Sequence, residues 1–278
     1  LVINQVHCIH RSYILFFIMC LIFKTILIML KLYNTWCGYL LLLLVVFSNP
    51  LNAKETLHIA VASNFKPVLQ TLVTNPALKN INIKISAASS GVLHSQIMHG
   101  APYDIFLSAD AARPHALIKD GFALKNSLTT YAIGLLALWQ PSNSVINHKL
   151  AIANPRFSPY GQSSAHYAKN YIKTPYEFVY ANNITHAFQF VETGNAAKGL
   201  VALSTLKSAY RKTKNKKYLN YTLIESEKYP EITQQGVIIS ATKHLTAAKK
   251  FMAFLNDSST AKTLLELGYK AKESDVSK

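Results

Sequence analysis

The chain has 278 residues, with 29 Lys and Arg against 13 Asp and Glu, a formal net charge of +16 and three cysteines. That length accommodates one large domain or two smaller ones. All three cysteines (Cys8, Cys20, Cys37) fall in residues 1–53, so disulfide frameworks, cysteine nucleophiles and cysteine metal sites are excluded beyond them.

Residues 1–53 hold Arg11, Lys24 and Lys31 and no acid. Residues 29–53 read as a secretory signal peptide. Met29–Leu30–Lys31 supplies a short basic start, "GYLLLLLVVF" (Gly38 to Phe47) an apolar centre, and "SNPLNA" a small residue, Ala53, to cut after. Residues 1–28 then read as an upstream segment outside the native protein. The alternative is a membrane-tethered chain, because "YILFFIMCLIFKTILIML" (Tyr13 to Leu30) has the length of a membrane span, with Lys24 inside it.

From Lys54 onward short apolar runs alternate with helical spacing. "LHIAVA" (57–62), "NIKISAA" (82–88), "DIFLSA" (104–109), "IGLLALW" (133–139), "KLAIA" (149–153), "KGLVALS" (198–204), "YTLIE" (221–225) and "GVIIS" (236–240) read as strands. Between them Val68, Leu69, Leu72 and Val73 share a helical face. So do Val92, Leu93, Gln96 and Ile97, then Ala187, Phe188, Phe190 and Val191, and Ala248, Phe251, Met252 and Leu255. The alternation predicts an α/β fold of mostly parallel sheets flanked by helices. "YAIGLLALWQPS" (Tyr131 to Ser142) is long enough to cross between two lobes, and "ITQQGVIISATKH" (Ile232 to His244) to return.

In open α/β sheets, ligands bind beyond the carboxyl ends of strands. Four strand-to-helix handovers are rich in small hydroxyls and amides: Ser63–Asn64, Ser89–Ser90–Gly91, "NPRFSPYGQ" around Tyr160, and Asn182–Asn183 before Ile184. Each reads first as a helix cap. Together they offer several helix starts, whose free N–H groups and positive dipole ends suit an anion. Gly91 lets a backbone approach closely.

Enzyme signatures are poor. There is no H-E-x-x-H, G-x-S-x-G, P-loop or G-x-G-x-x-G. His94 and His99 are five apart, which suits neither one helical face nor a strand, and Asp104 and Asp110 read as turn and cap residues. The basic excess could meet nucleic acid, an anionic surface or an anionic ligand. Its densest run, "KSAYRKTKNKKY" (Lys207 to Tyr218), reads as a solvated loop or helix face.

"VASNF", "AASSGVLHSQIMHGAPYDIFLSAD", "ANPRFSPYGQSSAHYA" and "VETGNAAKGLVALSTL" occur in this order between Val61 and Leu206, within a similarity that runs from about Leu57 to Tyr269. On these stretches the chain resembles the periplasmic molybdate-binding proteins of ABC transporters. The resemblance implies a two-lobed type II periplasmic-binding-protein fold with two hinge crossings. Lobe 1 is expected at 54–135 and 236–270, lobe 2 at 136–235, and a tail at 271–278. By position it implies oxyanion contacts from Ser63, Asn64, Ser90, Tyr160 and Ile184. The two serines are expected to donate through side chain and backbone, Tyr160 and Ile184 through backbone N–H. A tyrosine that some members carry on the strand "GLVAL" is replaced by Ala202, with the Asn64 amide as a substitute donor.

The function so implied is that of an exported periplasmic carrier, not an enzyme. It would hold molybdate or tungstate as an oxyanion, without cofactor or metal cation, and deliver it to an ABC permease in the inner membrane. It would act as a monomer and without nucleic acid. The alternatives are sulfate or phosphate as ligand, or an enzyme acting on phosphorylated substrates.

Overall fold

The computed structural model describes residues 19, 21–33, 35, 36, 39, 54–141 and 148–270. The chain divides into two compact units, 1–53 and 54–278. In the first, helix α1 covers residues 21–33 with exposed side chains. Among the described residues no helix is long and apolar enough to cross a membrane. Residues 1–18, the 40–53 part of the expected signal peptide (29–53) and the tail 271–278 lie outside the described residues.

The second unit carries two mixed sheets. The first has the order β11-β4-β10-β3-β1-β2. It comprises β1 (Glu55–Ala62), β2 (Ile81–Ala88), β3 (Ile105–Leu107), β4 (Thr129–Gly134), β10 (Ile232–Ile238) and β11 (Tyr269–Lys270). The second sheet has the order β7-β6-β8-β5-β9. Its strands are β5 (Leu136–Trp139), β6 (Lys149–Ala153), β7 (Glu177–Ala181), β8 (Lys198–Ala202) and β9 (Tyr221–Leu223).

The parallel pairing expected from strand–helix alternation holds along one side of each sheet, in β2-β1-β3 and β7-β6-β8. The antiparallel pairs involve β4, β5 and β10, or the edge strands β9 and β11. A chain that leaves one sheet for the other and returns must enter against the prevailing direction.

Each sheet has helices on its faces. Helices α2 (Lys66–Leu72), α3 (Ser90–Met98), α4 (Ala112–Lys119), α8 (Leu245–Leu255) and α9 (Ser258–Glu266) pack with the first sheet. Helices α5 (Pro159–Tyr171), α6 (Ile184–Glu192) and α7 (Leu203–Thr213) pack with the second. Strand alternation decides the faces. Leu57, Ile59 and Val61 of β1 meet Val68 and Leu69 of α2 and Phe251 of α8. Ala60, Phe106 and Val237 face the other way, onto Leu93 and Ile97 of α3 and Leu117 of α4. In the second core, Trp139 is fully buried and stacks on Phe188 at 4.7 Å between ring centroids. Its indole N–H donates to Lys217 O at 3.0 Å.

The long apolar run at 131–139 does pass from sheet to sheet. It forms β4 in the first and β5 in the second, separated by Leu135 alone. Gly134 is required there: an added Cβ would collide with the Tyr160 hydroxyl and lie 2.7 Å from Gln234 Nε2. The return strand β10 carries a bulge between Gln234 and Gln235. The two crossings are tied together, because Leu136 N donates to the Tyr229 hydroxyl at 3.1 Å. The basic run forms the end of α7 and a short 3-10 turn at Lys216–Leu219. It is largely exposed, and Lys217 Nζ lies 2.6 Å from Glu192.

Candidate functional site

The site is built from four handovers at the carboxyl ends of β1, β2, β6 and β7. At the first, Ser63 N donates to Ala88 O at 2.9 Å, which continues the β1–β2 ladder. Its backbone donor is therefore engaged, and only the hydroxyl remains for a ligand, in contrast to the expected pair of donors. The expected cap does not form either. The N-cap residue of α2 is Phe65, with no side-chain bond. The reason is local: Phe65 N bonds back to Ala62 O at 2.9 Å, and the Asn64 side chain turns inward. Asn64 Nδ2 donates to Gln234 Oε1 at 3.0 Å and to the Tyr269 hydroxyl at 3.3 Å. Asn64 Oδ1 is buried without a partner.

At the second handover Ser89 occupies the N-cap position of α3 without a capping bond. Ser90 follows, and its Oγ accepts from Ala109 N at 2.9 Å. A hydroxyl that accepts from backbone keeps its one hydrogen to give away. At the third, Ser158 caps α5 by accepting from Gly161 N at 3.4 Å. Tyr160 was expected to matter through its backbone, yet its ring is completely buried and its hydroxyl accepts from Gln234 Nε2 at 3.4 Å. At the fourth, Asn183 caps α6, accepting from His186 N at 3.0 Å, and Ile184 opens the helix.

Two hydrogen bonds join these starts across the lobes. Thr185 Oγ1 donates to Ser63 O at 3.1 Å, and Gly91 N donates to Phe157 O at 2.9 Å. The first brings the start of α6 to the Ser63 turn, and the second brings the start of α3 to the residue before the α5 cap. Ser63 is 7% exposed and Asn64, Ser90, Tyr160 and Ile184 are 2% exposed or less.

Nearby charges are internally matched. The Asp110 carboxylate caps α4 through Arg113 N at 3.0 Å and pairs with the Arg113 guanidinium. Asp104 accepts from His58 N at 2.7 Å and Thr242 Oγ1 at 2.5 Å, which is structural work. His94 is held below the ordinary histidine pKa, first by burial and then by the nearby Arg113. Among the described residues no group of His, Cys, Asp and Glu could hold a metal ion. Ala202 ends β8 fully buried, opposite Leu136.

Gln234 was not singled out from the sequence. It is completely buried and bonded to Asn64, Tyr131 and Tyr160. The available signal was a pair of glutamines inside the apolar run "ITQQGVIIS". Burial raises the pKa of Tyr131, Tyr160 and Tyr269 above the ordinary 10.0; neighbouring charges, Tyr269 first among them, add to it at Tyr131 and Tyr160, while hydrogen bonds to Ser204 and Asn64 partly offset it at Tyr269. Groups whose acid form is favoured by folding stabilise below their unfolded pKa and lose that contribution above it. We therefore expect stability to be flat through neutral pH. Above pH ~10 it should fall by up to about 1.4 kcal/mol per pH unit for each of these tyrosines. Urea melts from pH 8 to 11.5, repeated on Tyr131→Phe, check this; an unchanged slope in the variant counts against it.

Residues 57–270 match the family described as bacterial extracellular solute-binding protein. The chain belongs to that family. It is similar to molybdate-binding protein ModA of Azotobacter vinelandii, 30% identical over 228 residues, with 76% of this chain and 88% of the relative covered. The corresponding figures for molybdate-binding protein ModA of Rhodobacter capsulatus are 29% over 224 residues, 76% and 86%. Among solved structures, the periplasmic molybdate-binding protein of A. vinelandii superposes with a TM-score of 0.68 at 28% identity, covering 78% of this chain and 100% of that one. The two-lobed fold of this solute-binding family is thus the fold of residues 54–270.

Proposed function

We propose that this solute-binding protein captures molybdate or tungstate between its lobes in the periplasm and hands it to an ABC permease of the inner membrane. It does so without turnover and as a monomer. The observation that carries the reading is the meeting of the four handovers. The Thr185–Ser63 and Gly91–Phe157 bonds bring hydroxyl- and amide-bearing turns from both lobes together. Ser63 and Ser90 would donate through hydroxyls, the starts of α5 and α6 through the backbone N–H of Tyr160 and Ile184, and Asn64 through its amide.

These donors are uncharged. Molybdate and tungstate are dianions near neutral pH, so a pocket of donors suits them and an acceptor would repel them. The Asp110 carboxylate is offset by Arg113 and adds no net charge. The resemblance to molybdate-binding relatives over three quarters of the chain supports the same ligand class.

The test is calorimetric titration of residues 54–278 with molybdate, tungstate, sulfate and phosphate in parallel. This unit contains every named strand and all three apolar cores. Binding of molybdate or tungstate well ahead of sulfate and phosphate is the expected result. At 100 times its Kd the ligand should stabilise the fold by about 2.7 kcal/mol. Preference for sulfate or phosphate, or no heat with any of the four, rejects the assignment.

A further inference from the structure

We infer that Gln234 is a positioning residue: it turns the Asn64 amide so that both Nδ2 hydrogens face the bound anion. This inference rests on the oxyanion function proposed above.

The reasoning begins with the Asn64 acceptor. With Nδ2 directed at Gln234 and Tyr269, Asn64 Oδ1 is buried with nothing to accept from. A buried acceptor without a donor is costly anywhere. Beside a dianion it is also repulsive. The same orientation has a second fault. Gln234 Oε1 is approached by both Asn64 Nδ2 and the Tyr131 hydroxyl, while the Tyr160 hydroxyl accepts from Gln234 Nε2. The Tyr160 hydrogen is then left pointing into a fully buried site.

The oxygen and nitrogen ends of an amide are nearly the same size, so its hydrogen-bond partners decide its orientation. Turning both amides by half a rotation satisfies the whole cluster at the same separations. The Tyr160 hydroxyl then donates to Gln234 Oε1, across 3.4 Å. Gln234 Nε2 gives one hydrogen to Asn64 Oδ1, across 3.0 Å, and the other to the Tyr131 oxygen, across 3.1 Å. Tyr131 passes its own hydrogen to Ser108 O at 2.9 Å. The Tyr269 hydroxyl donates to Asn64 Oδ1 across 3.3 Å.

Every hydrogen of the cluster now has an acceptor except the two on Asn64 Nδ2. These lie where the orphaned oxygen had been, on the side of the amide away from Gln234 and Tyr269. An oxyanion supplies the missing acceptors. The arrangement needs a residue that donates to Asn64 and accepts from Tyr160 at once. Glutamine does both, whereas Glu and Met each lack the donor. Strand β10 shifts register between Gln234 and Gln235, the kind of bulge that re-aims a side chain.

A double-mutant cycle and one spectrum test the assignment on residues 54–278. Gln234→Met should raise the Kd for molybdate on the order of tenfold, the size of one hydrogen bond to a charged partner. In an Asn64→Ala background the same change should cost less than about twofold, since Gln234 acts through Asn64. A merely structural glutamine would cost the same in both backgrounds, and that result overturns the inference. The wild-type protein gives an answer that does not depend on a variant folding. In a 15N spectrum, saturating molybdate should move the side-chain NH2 resonances of Asn64 and slow their exchange with water. Unmoved Asn64 resonances in a protein that does bind molybdate overturn the Gln234 role and leave the carrier function standing. Failure of the wild type to bind any of the four anions overturns both.

Discussion

Ser90→Ala should weaken molybdate binding by about 1.5–3 kcal/mol, roughly a 10- to 150-fold rise in Kd. The hydroxyl has one hydrogen to give, and its oxygen is already occupied by Ala109 N at 2.9 Å. The substitution therefore removes a hydrogen bond to a charged ligand and strips a buried N–H of its acceptor. The second effect should lower the stability of the ligand-free protein by about 1–3 kcal/mol. Calorimetry reads the first loss and a denaturant melt the second. A rise in Kd below tenfold would remove Ser90 from the set of ligand donors.

Gly91→Val should act on closure. A Cβ at this position would lie 2.9 Å from Phe157 O and 3.1 Å from Phe157 Cα. Both are backbone atoms of the opposite lobe and have no side-chain freedom with which to yield. The Gly91 N to Phe157 O bond would be lost as well. We expect closure to cost about 3 kcal/mol more, at the upper end of ordinary overpacking, and the Kd to rise about 150-fold. The open, ligand-free form should melt much as the wild type does, because the backbone clash exists only when the lobes meet, and Arg113 Nη2, 3.1 Å away, is the end of a flexible side chain. Small-angle scattering should show the ligand-dependent fall in radius of gyration only at molybdate concentrations about 150-fold above those the wild type needs. Compaction of the variant at wild-type concentrations would contradict this account.

The sequence carried the fold wherever burial was complete on both faces. "LHIAVA" and "KLAIA" are central strands, and their unbroken apolar character marks them. The edge strand β7 (Glu177–Ala181) escaped notice because Phe178 and Tyr180 remain exposed, so no inward alternation is visible. Helix α7 was hidden for a different reason: its first turn continues the apolar run of β8, and "KGLVALS" reads as a single strand although the helix begins at Leu203. At the site, the handovers could be located from small polar residues at strand ends. The direction of each polar group could not. Ser63 and Asn64 look like caps in one dimension, but a hydrogen bond to Ala88 and another to Gln234 draw them elsewhere, over 25 and 170 residues of sequence respectively. Contacts of that range depend on tertiary packing and leave no periodic trace.

The paired crossings have a mechanical consequence. The outgoing strand changes sheets over Leu135 alone, and the Tyr229 hydroxyl fastens the returning segment to Leu136 N at 3.1 Å. Two short strands tied side by side resist twisting and sliding, and bend readily only about the line that joins them. For the carrier proposed above, this would leave one easy motion, the swing of a book about its spine, and a permease gripping both covers would sense whether the book is shut.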